Sequence, residues 1–207
     1  MYLDYYRLKH APFDITPNPR FLFHSTKHRE AFNHMLYGIR ERKGFVQLTG
    51  EVGAGKTTLC RALLDQLDSH FSTALILNPV LDADELMQAI ATEFGLNVRG
   101  ESRRETVAAI SEFLLRQIEF GKETVLIIDE AQNLTPKQMK TLVTRAGPGT
   151  KVVCMGNIAQ IDTPYLTEGS SGLTYVVDRF KGWVHGGHVT LLRGERSRLA
   201  DYAGEVL

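Results

Sequence analysis

The stretch Gly50-Glu51-Val52-Gly53-Ala54-Gly55-Lys56-Thr57 follows directly on the apolar run Phe45-Val46-Gln47-Leu48. No other segment constrains the fold as tightly, because the spacing G-x-x-x-x-G-K-[ST] carries chemistry only where it joins a strand to a helix. Its glycines let successive backbone N–H groups turn inward around a polyphosphate, and the helix that follows presents the positive end of its dipole. Gly50, Glu51, Val52, Gly53, Ala54, Gly55, Lys56, Thr57 and Thr58 are therefore the candidate phosphate-binding residues. Lys56 would reach the β- and γ-phosphates, and the Thr57 hydroxyl would coordinate Mg²⁺.

A matching acidic strand lies downstream in Val125-Leu126-Ile127-Ile128-Asp129-Glu130. Four consecutive apolar residues predict a central strand buried on both faces. Asp129 then emerges at its carboxyl end, where open α/β sheets place their ligands. There it would hold Mg²⁺, directly or through water, opposite Thr57. Glu130, one residue on, is the candidate general base for an attacking water.

The chain has 207 residues, and its 24 Lys and Arg balance 24 Asp and Glu. That length suits one α/β domain with a substantial core. The charge balance removes any global pull toward nucleic acid or anionic membrane and leaves only a local basic groove as a route to nucleic acid. Cys60 falls in the helix after the glycine loop and Cys154 in an apolar strand. Both are expected as buried reduced thiols, which suits a cytoplasmic setting. No apolar run approaches a membrane span, and the charged, aromatic start lacks a signal-peptide pattern.

Residues 1 to about 25 read as irregular. Their aromatics, Tyr2, Tyr5, Tyr6, Phe13, Phe21 and Phe23, are expected over the edge of the nucleotide domain, with the lining of a base pocket as the alternative. A helix is predicted from about Thr26 to Arg42, so that residues 1–43 form an N-terminal extension on a core of residues 44–207. Within that core Leu59, Ala62, Leu63 and Leu67 make a helical stripe, and a second strand runs from Thr73 to Leu77. A helix begins near Asp82 and stops at Gly95. Ser102 to Glu105 and Thr135 to Gln138 are capping boxes that open two more, the first with Val107, Ile110, Leu114 and Ile118 inward. Strands run from Lys151 to Met155 and from Gly187 to Leu192, and Arg198 to Leu207 is a closing helix. His185 and His188 flank a Gly-Gly pair that reads as a loop, not a metal site. The alternation predicts an α/β fold, a parallel sheet of about five strands with helices on both faces. Glu130 beside Asp129 points to the additional-strand class of P-loop NTPases. The strand from Lys151 would then lie between the glycine-loop strand and that of Asp129.

Longer runs carry two family resemblances. Ala11-Pro12-Phe13, Thr16-Pro17-Asn18-Pro19-Arg20-Phe21-Leu22, His28-Arg29-Glu30-Ala31, Tyr37-Gly38-Ile39 and the run from Lys43 through the glycine loop to Arg61 resemble ExeA/GspA-type AAA ATPases of general secretion. This likeness covers about residues 1–134. From about residue 129 onward the chain resembles PhoH-like ATPases, relatives of superfamily 1 helicases. The carrying residues are Asp129-Glu130-Ala131-Gln132-Asn133-Leu134-Thr135-Pro136, Gly156-Asn157-Ile158-Ala159-Gln160-Ile161-Asp162, Ser171-Gly172-Leu173 and Glu195-Arg196-Ser197-Arg198. The chain thus reads as a hybrid joined at its Walker B segment.

The resemblances imply ATP as the nucleotide, with Mg²⁺, although no motif excludes GTP. They imply that Asn157 and Gln160 sense the γ-phosphate at a strand end. Asn157 stands where the helicase-like pattern usually carries Asp, and it also fits the polar sensor of AAA proteins. Arg196 is matched to the arginine that stabilises charge on the transferred phosphoryl group, with Arg193 and Arg198 as competitors. Both families assemble into rings, so a neighbouring subunit is implied as its donor. The membrane and peptidoglycan-binding segments of the first family, the AAA helical lid and the nuclease-like domain of some PhoH-like proteins have no counterpart in these residues. The expected function is Mg²⁺-dependent ATP hydrolysis. The alternatives are a nucleotide-binding module with little turnover and an RNA-acting helicase-like ATPase.

Overall fold

Val125 and Ile127 project to one face of a sheet, Leu126 and Ile128 to the other, and all four are buried. A strand with two apolar faces needs helices on both sides, and the computed structural model, which describes residues 2–9, 25–41 and 43–191, supplies them. This strand is β3 (Glu123–Ile128). With β1 (Phe45–Gly50), β2 (Phe71–Ile76), β4 (Thr150–Gly156) and β5 (Gly186–Leu191) it forms a parallel sheet of order β2-β3-β4-β1-β5. The extra strand expected between the glycine-loop strand and that of Asp129 is therefore β4. Its register sets Thr49 beside Gly156 and Ile128 beside Cys154, which brings the ends of all three strands to the same edge of the sheet.

One face is covered by α2 (Thr26–Arg40) and α3 (Lys56–Leu64), packed on Val46, Leu48, Val153 and Met155. The other carries α4 (Ala83–Glu93), α5 (Arg103–Glu119), α6 (Pro136–Arg145) and α7 (Gly172–Phe180). Asp82, Ser102 and Thr135 cap α4, α5 and α6 in full capping boxes with Glu85, Glu105 and Gln138. Each cap of this kind stabilises its helix by about 1 kcal/mol. Lys151 enters the interior at the start of β4 because Glu123, at the start of β3, accepts its ammonium hydrogen bond. Cys60 and Cys154 are free and buried, and burial pushes the Cys60 thiol up to about 12 and raises that of Cys154 as well. Among the described residues no helix is long and apolar enough to cross a membrane.

Several elements differ from the sequence reading. A four-residue helix, α1 (Tyr2–Tyr5), stands where irregular chain was expected. Tyr5 and Tyr6 are 80% and 67% exposed and meet each other edge to face, so neither packs on the nucleotide domain. Phe13, Phe21, Phe23 and the segment from Arg198 to Leu207 lie outside the described residues. In α5 only Thr106 and Ile110 are buried, and Ile118 is exposed. Gly186 and Gly187 open β5 instead of forming a loop.

Helix α7 has no counterpart among the predicted elements. Its Thr-Tyr-Val-Val run favours a strand locally, but Ser171 caps it and Leu173 and Val176 fill the core, so packing overrides propensity. Gly172 sits where a Cβ would lie 2.7 Å from the Leu134 carbonyl oxygen and 2.8 Å from that of Thr135. Both obstacles are backbone, so Gly172→Ala is expected to destabilise the fold by about 1–3 kcal/mol, read as a lower denaturant midpoint at unchanged slope.

Candidate functional site

β1 ends at Gly50, and the chain turns through Gly53 and Gly55 at φ of 78° and 77° before α3 begins at Lys56. That left-handed backbone is strained for residues with a Cβ, which explains two of the three loop glycines. Lys56 Nζ donates to the carbonyls of Gly50 at 2.9 Å and Glu51 at 2.8 Å, folding the ammonium back over the loop. Val52, Gly53, Gly55, Lys56, Thr57 and Thr58 line one side of a cavity of about 320 Å³. Asp129, Glu130, Gln132, Gly156, Asn157 and Gln160 line the other. The structure thus brings together six of the nine candidate loop residues. Gly50 and Glu51 contribute carbonyls to Lys56, and Ala54 is buried beneath the loop.

Thr57 Oγ1 donates to Asp129 Oδ2 at 2.6 Å, across 72 residues of sequence. The other carboxylate oxygen of Asp129 accepts from the Glu130 amide at 3.0 Å. Glu130 itself adopts a left-handed backbone, φ 52° and ψ 34°, and starts a 3₁₀ turn at Ala131–Asn133. For a residue with a Cβ this conformation costs about 1–2 kcal/mol, and such strain concentrates at functional sites. Burial, then the charges of Asp129 and Asp162, hold the Glu130 carboxyl above the ordinary glutamate range, while Lys56 pulls it the other way.

The 3₁₀ turn is stitched to the loop after β4. Gln132 Oε1 accepts from the Asn157 amide at 3.2 Å, and Asn133 Oδ1 accepts from the Asp162 amide at 2.8 Å. Thr163 donates to the Asn133 carbonyl at 2.9 Å, and Ser171 to that of Gln132 at 2.8 Å. Asn157 and Gln160 both reach the cavity, though Asn157 Oδ1 also accepts from the Ala159 amide at 3.3 Å. Arg193, Arg196 and Arg198 lie outside the described residues. Gln132, Gly156, Asp162 and His28 carry the resemblances, but the sequence assigned them no role at the site. Gln132 follows Glu130 by two residues, and the turn that aims it at the pocket is its one local signal. His28 meets the loop only through tertiary packing, its Nε2 lying 2.9 Å from the Ala54 carbonyl oxygen.

Two outcomes test this geometry in nucleotide-free protein. In carboxyl-detected NMR the Glu130 carboxyl titrates above the ordinary glutamate value, and Asp162→Asn moves it down, since one like charge opposing ionisation is gone. An unmoved midpoint would separate Asp162 from the site. In Gly156→Ala a Cβ would meet Gln132 Oε1 at 2.3 Å and Leu173 Cδ2 at 2.8 Å. The Asn157 amide is then expected to lose its hydrogen bond and exchange faster with solvent.

Comparison with known proteins gives the family. The family model described as an AAA domain matches residues 39–161. General secretion pathway protein A of Aeromonas hydrophila is 42% identical over 143 residues, 69% of this chain and 26% of that protein. Protein PhoH2 of Bacillus subtilis is 36% identical over 195 residues, 82% of this chain and 44% of that protein, a reach that extends well upstream of Asp129. The chain spans between about a quarter and a half of the length of these relatives. Among solved structures, a Walker-type ATPase of Pyrococcus abyssi superposes with a TM-score of 0.55 at 16% identity, covering 94% of this chain and 61% of that one. Cdc6p of Pyrobaculum aerophilum gives 0.52 at 19% identity over 83% and 48%. These two show the fold alone. The chain belongs to the AAA domain family, with the P-loop NTPase fold and likenesses to both general secretion protein A and PhoH.

Proposed function

We propose that this protein is a Mg²⁺-dependent ATPase. The observation that carries the reading is the 2.6 Å contact between Thr57 Oγ1 and Asp129 Oδ2, on the wall of a cavity that also holds Lys56 and Glu130. A hydroxyl and a carboxylate converging from two elements form a hard-oxygen donor pair, which fits Mg²⁺ and suits a softer metal poorly. When bound, Mg²⁺ supplies charge neutralisation on the phosphate oxygens.

This chain's residues do the rest. Within the candidate stretch 50–58, the amides of the cavity-lining residues Gly53, Gly55, Lys56, Thr57 and Thr58 hold the phosphates, and Lys56 exchanges the carbonyls of Gly50 and Glu51 for phosphate oxygens. Glu130 accepts the proton of the attacking water. Asn157 and Gln160 hold the γ-phosphate side of the cavity, and the turn at Gln132 fixes Asn157. Arg196 supplies charge to the transferred group from a neighbouring copy in a ring. The extension of residues 1–43 serves the core of residues 44–207, and two buried free thiols support a reducing, cytoplasmic setting. Neither secretion nor nucleic-acid remodelling follows from the site. Balanced charge gives no support to a nucleic-acid partner.

The test measures nucleotide affinity and steady-state turnover on one sample, with ATP and with GTP. Lys56→Ala is expected to lose nucleotide affinity. Glu130→Gln is expected to keep it while turnover falls on the order of a hundredfold or more. Parent-rate hydrolysis by Glu130→Gln would remove the base assignment, and tight binding without turnover in the parent would leave a nucleotide-binding module. Specific activity that rises with protein concentration is the signature of an arginine donated between copies, and a flat response rules that donation out.

A further inference from the structure

We infer that His28 anchors the glycine loop in its phosphate-ready shape before any nucleotide arrives, and is a positioning residue for that site. The inference rests on the phosphate-binding reading of the loop, but its first test needs no nucleotide.

A loop that turns its amides inward must turn its carbonyls outward, and buried carbonyls need donors. The carbonyls of Gly50 and Glu51 accept from Lys56, whose ammonium is the group that must leave for the phosphates, and that of Glu51 keeps a second donor in the Ala54 amide at 3.2 Å. Ala54 differs. Its carbonyl oxygen lies 2.9 Å from His28 Nε2, a contact that can persist when a phosphate enters.

The chemistry of the pair fixes the ring. A carbonyl only accepts, so Nε2 carries a proton, and in the neutral imidazole Nδ1 is left as acceptor. Ser25 Oγ lies 2.7 Å from Nδ1 and fills that role as donor, while it accepts from the His28 amide at 3.3 Å as the cap of α2. Both ring nitrogens are thereby used. The imidazole also sits against Gly55, where a Cβ would stand 3.2 Å from Nε2. The ring is thus held over the residue at which the loop becomes α3.

The platform behind His28 is rigid. Ala31, Met35 and Ile39 of the same helix are completely buried, and α2 packs on β1, β5 and α3. The hydrogen bond therefore ties the loop to the sheet from above, while β1 holds it from below. Without it the loop would sample other shapes, and ATP binding would have to restore order, which weakens apparent affinity by the fraction of time the loop is competent.

The experiment compares His28→Ala, His28→Leu and His28→Gln by amide exchange without nucleotide, then by ATP affinity and turnover. Glutamine can present an N–H to Ala54, and leucine fills similar space with no donor. Expected are faster exchange at Ala54, whose amide donates to the Glu51 carbonyl at 3.2 Å, in the alanine and leucine variants, with β3 and α6 unchanged, and largely restored protection in His28→Gln. ATP affinity should fall about tenfold in alanine and leucine, with saturated turnover nearly unchanged. If His28→Ala fails to fold, the leucine and glutamine variants carry the comparison. Parent-like loop exchange in a folded variant without the donor overturns the inference, as does equal loss across every element, which marks a structural role alone. A parent protein that binds no ATP would sink the proposed function, while the exchange result still decides the role of His28.

Discussion

A polyphosphate can be held at the edge of a sheet only where several backbone amides point inward and their carbonyls find donors elsewhere. That requirement organises this molecule. Gly53 and Gly55 permit the turn, Lys56 and His28 occupy three of the outward carbonyls, and α3 adds its positive end. The acid side must then arrive at the right height. It does so because β4 separates β1 from β3 in a parallel register that brings Gly50, Gly156 and Asp129 to the same edge of the sheet. The contact between Thr57 and Asp129 is the product of both constraints.

The two family likenesses meet inside one hydrophobic core. β1 pairs along its length with β4, and Val46, Leu48, Val153 and Met155 share a cluster. The turn at residues 129–134 carries Asp129, Glu130 and Gln132 of the cavity wall. It is also the most heavily cross-linked turn of the site, held by Asn157, Asp162, Thr163 and Ser171. The turn after Glu130 is thus hydrogen-bonded directly to the loop that follows β4.

What the sequence made legible follows from local rules. The glycine spacing, the apolar run before Asp129 and the capping boxes at Ser102 and Thr135 each depend on neighbours within a few residues, and each appears as expected. Helix α7 was not legible, because its β-favouring side chains become helical only against the turn at Leu134 and Thr135. Tyr5 and Tyr6 were expected inward on composition, yet nothing local directs them there and they face solvent. At the site, Gly53, Lys56, Thr57, Asp129 and Glu130 could be named from motifs. His28 could not, since its partner lies 26 positions away and no spacing rule connects them.

The most direct test of the account is calorimetric titration of ATP into the parent protein and into Thr57→Val, each with and without Mg²⁺. The account predicts that Mg²⁺ tightens ATP binding in the parent and that this gain disappears in Thr57→Val, while its metal-free affinity stays close to the parent value. An identical Mg²⁺ dependence in both proteins, or no binding of ATP to a folded parent, would contradict it.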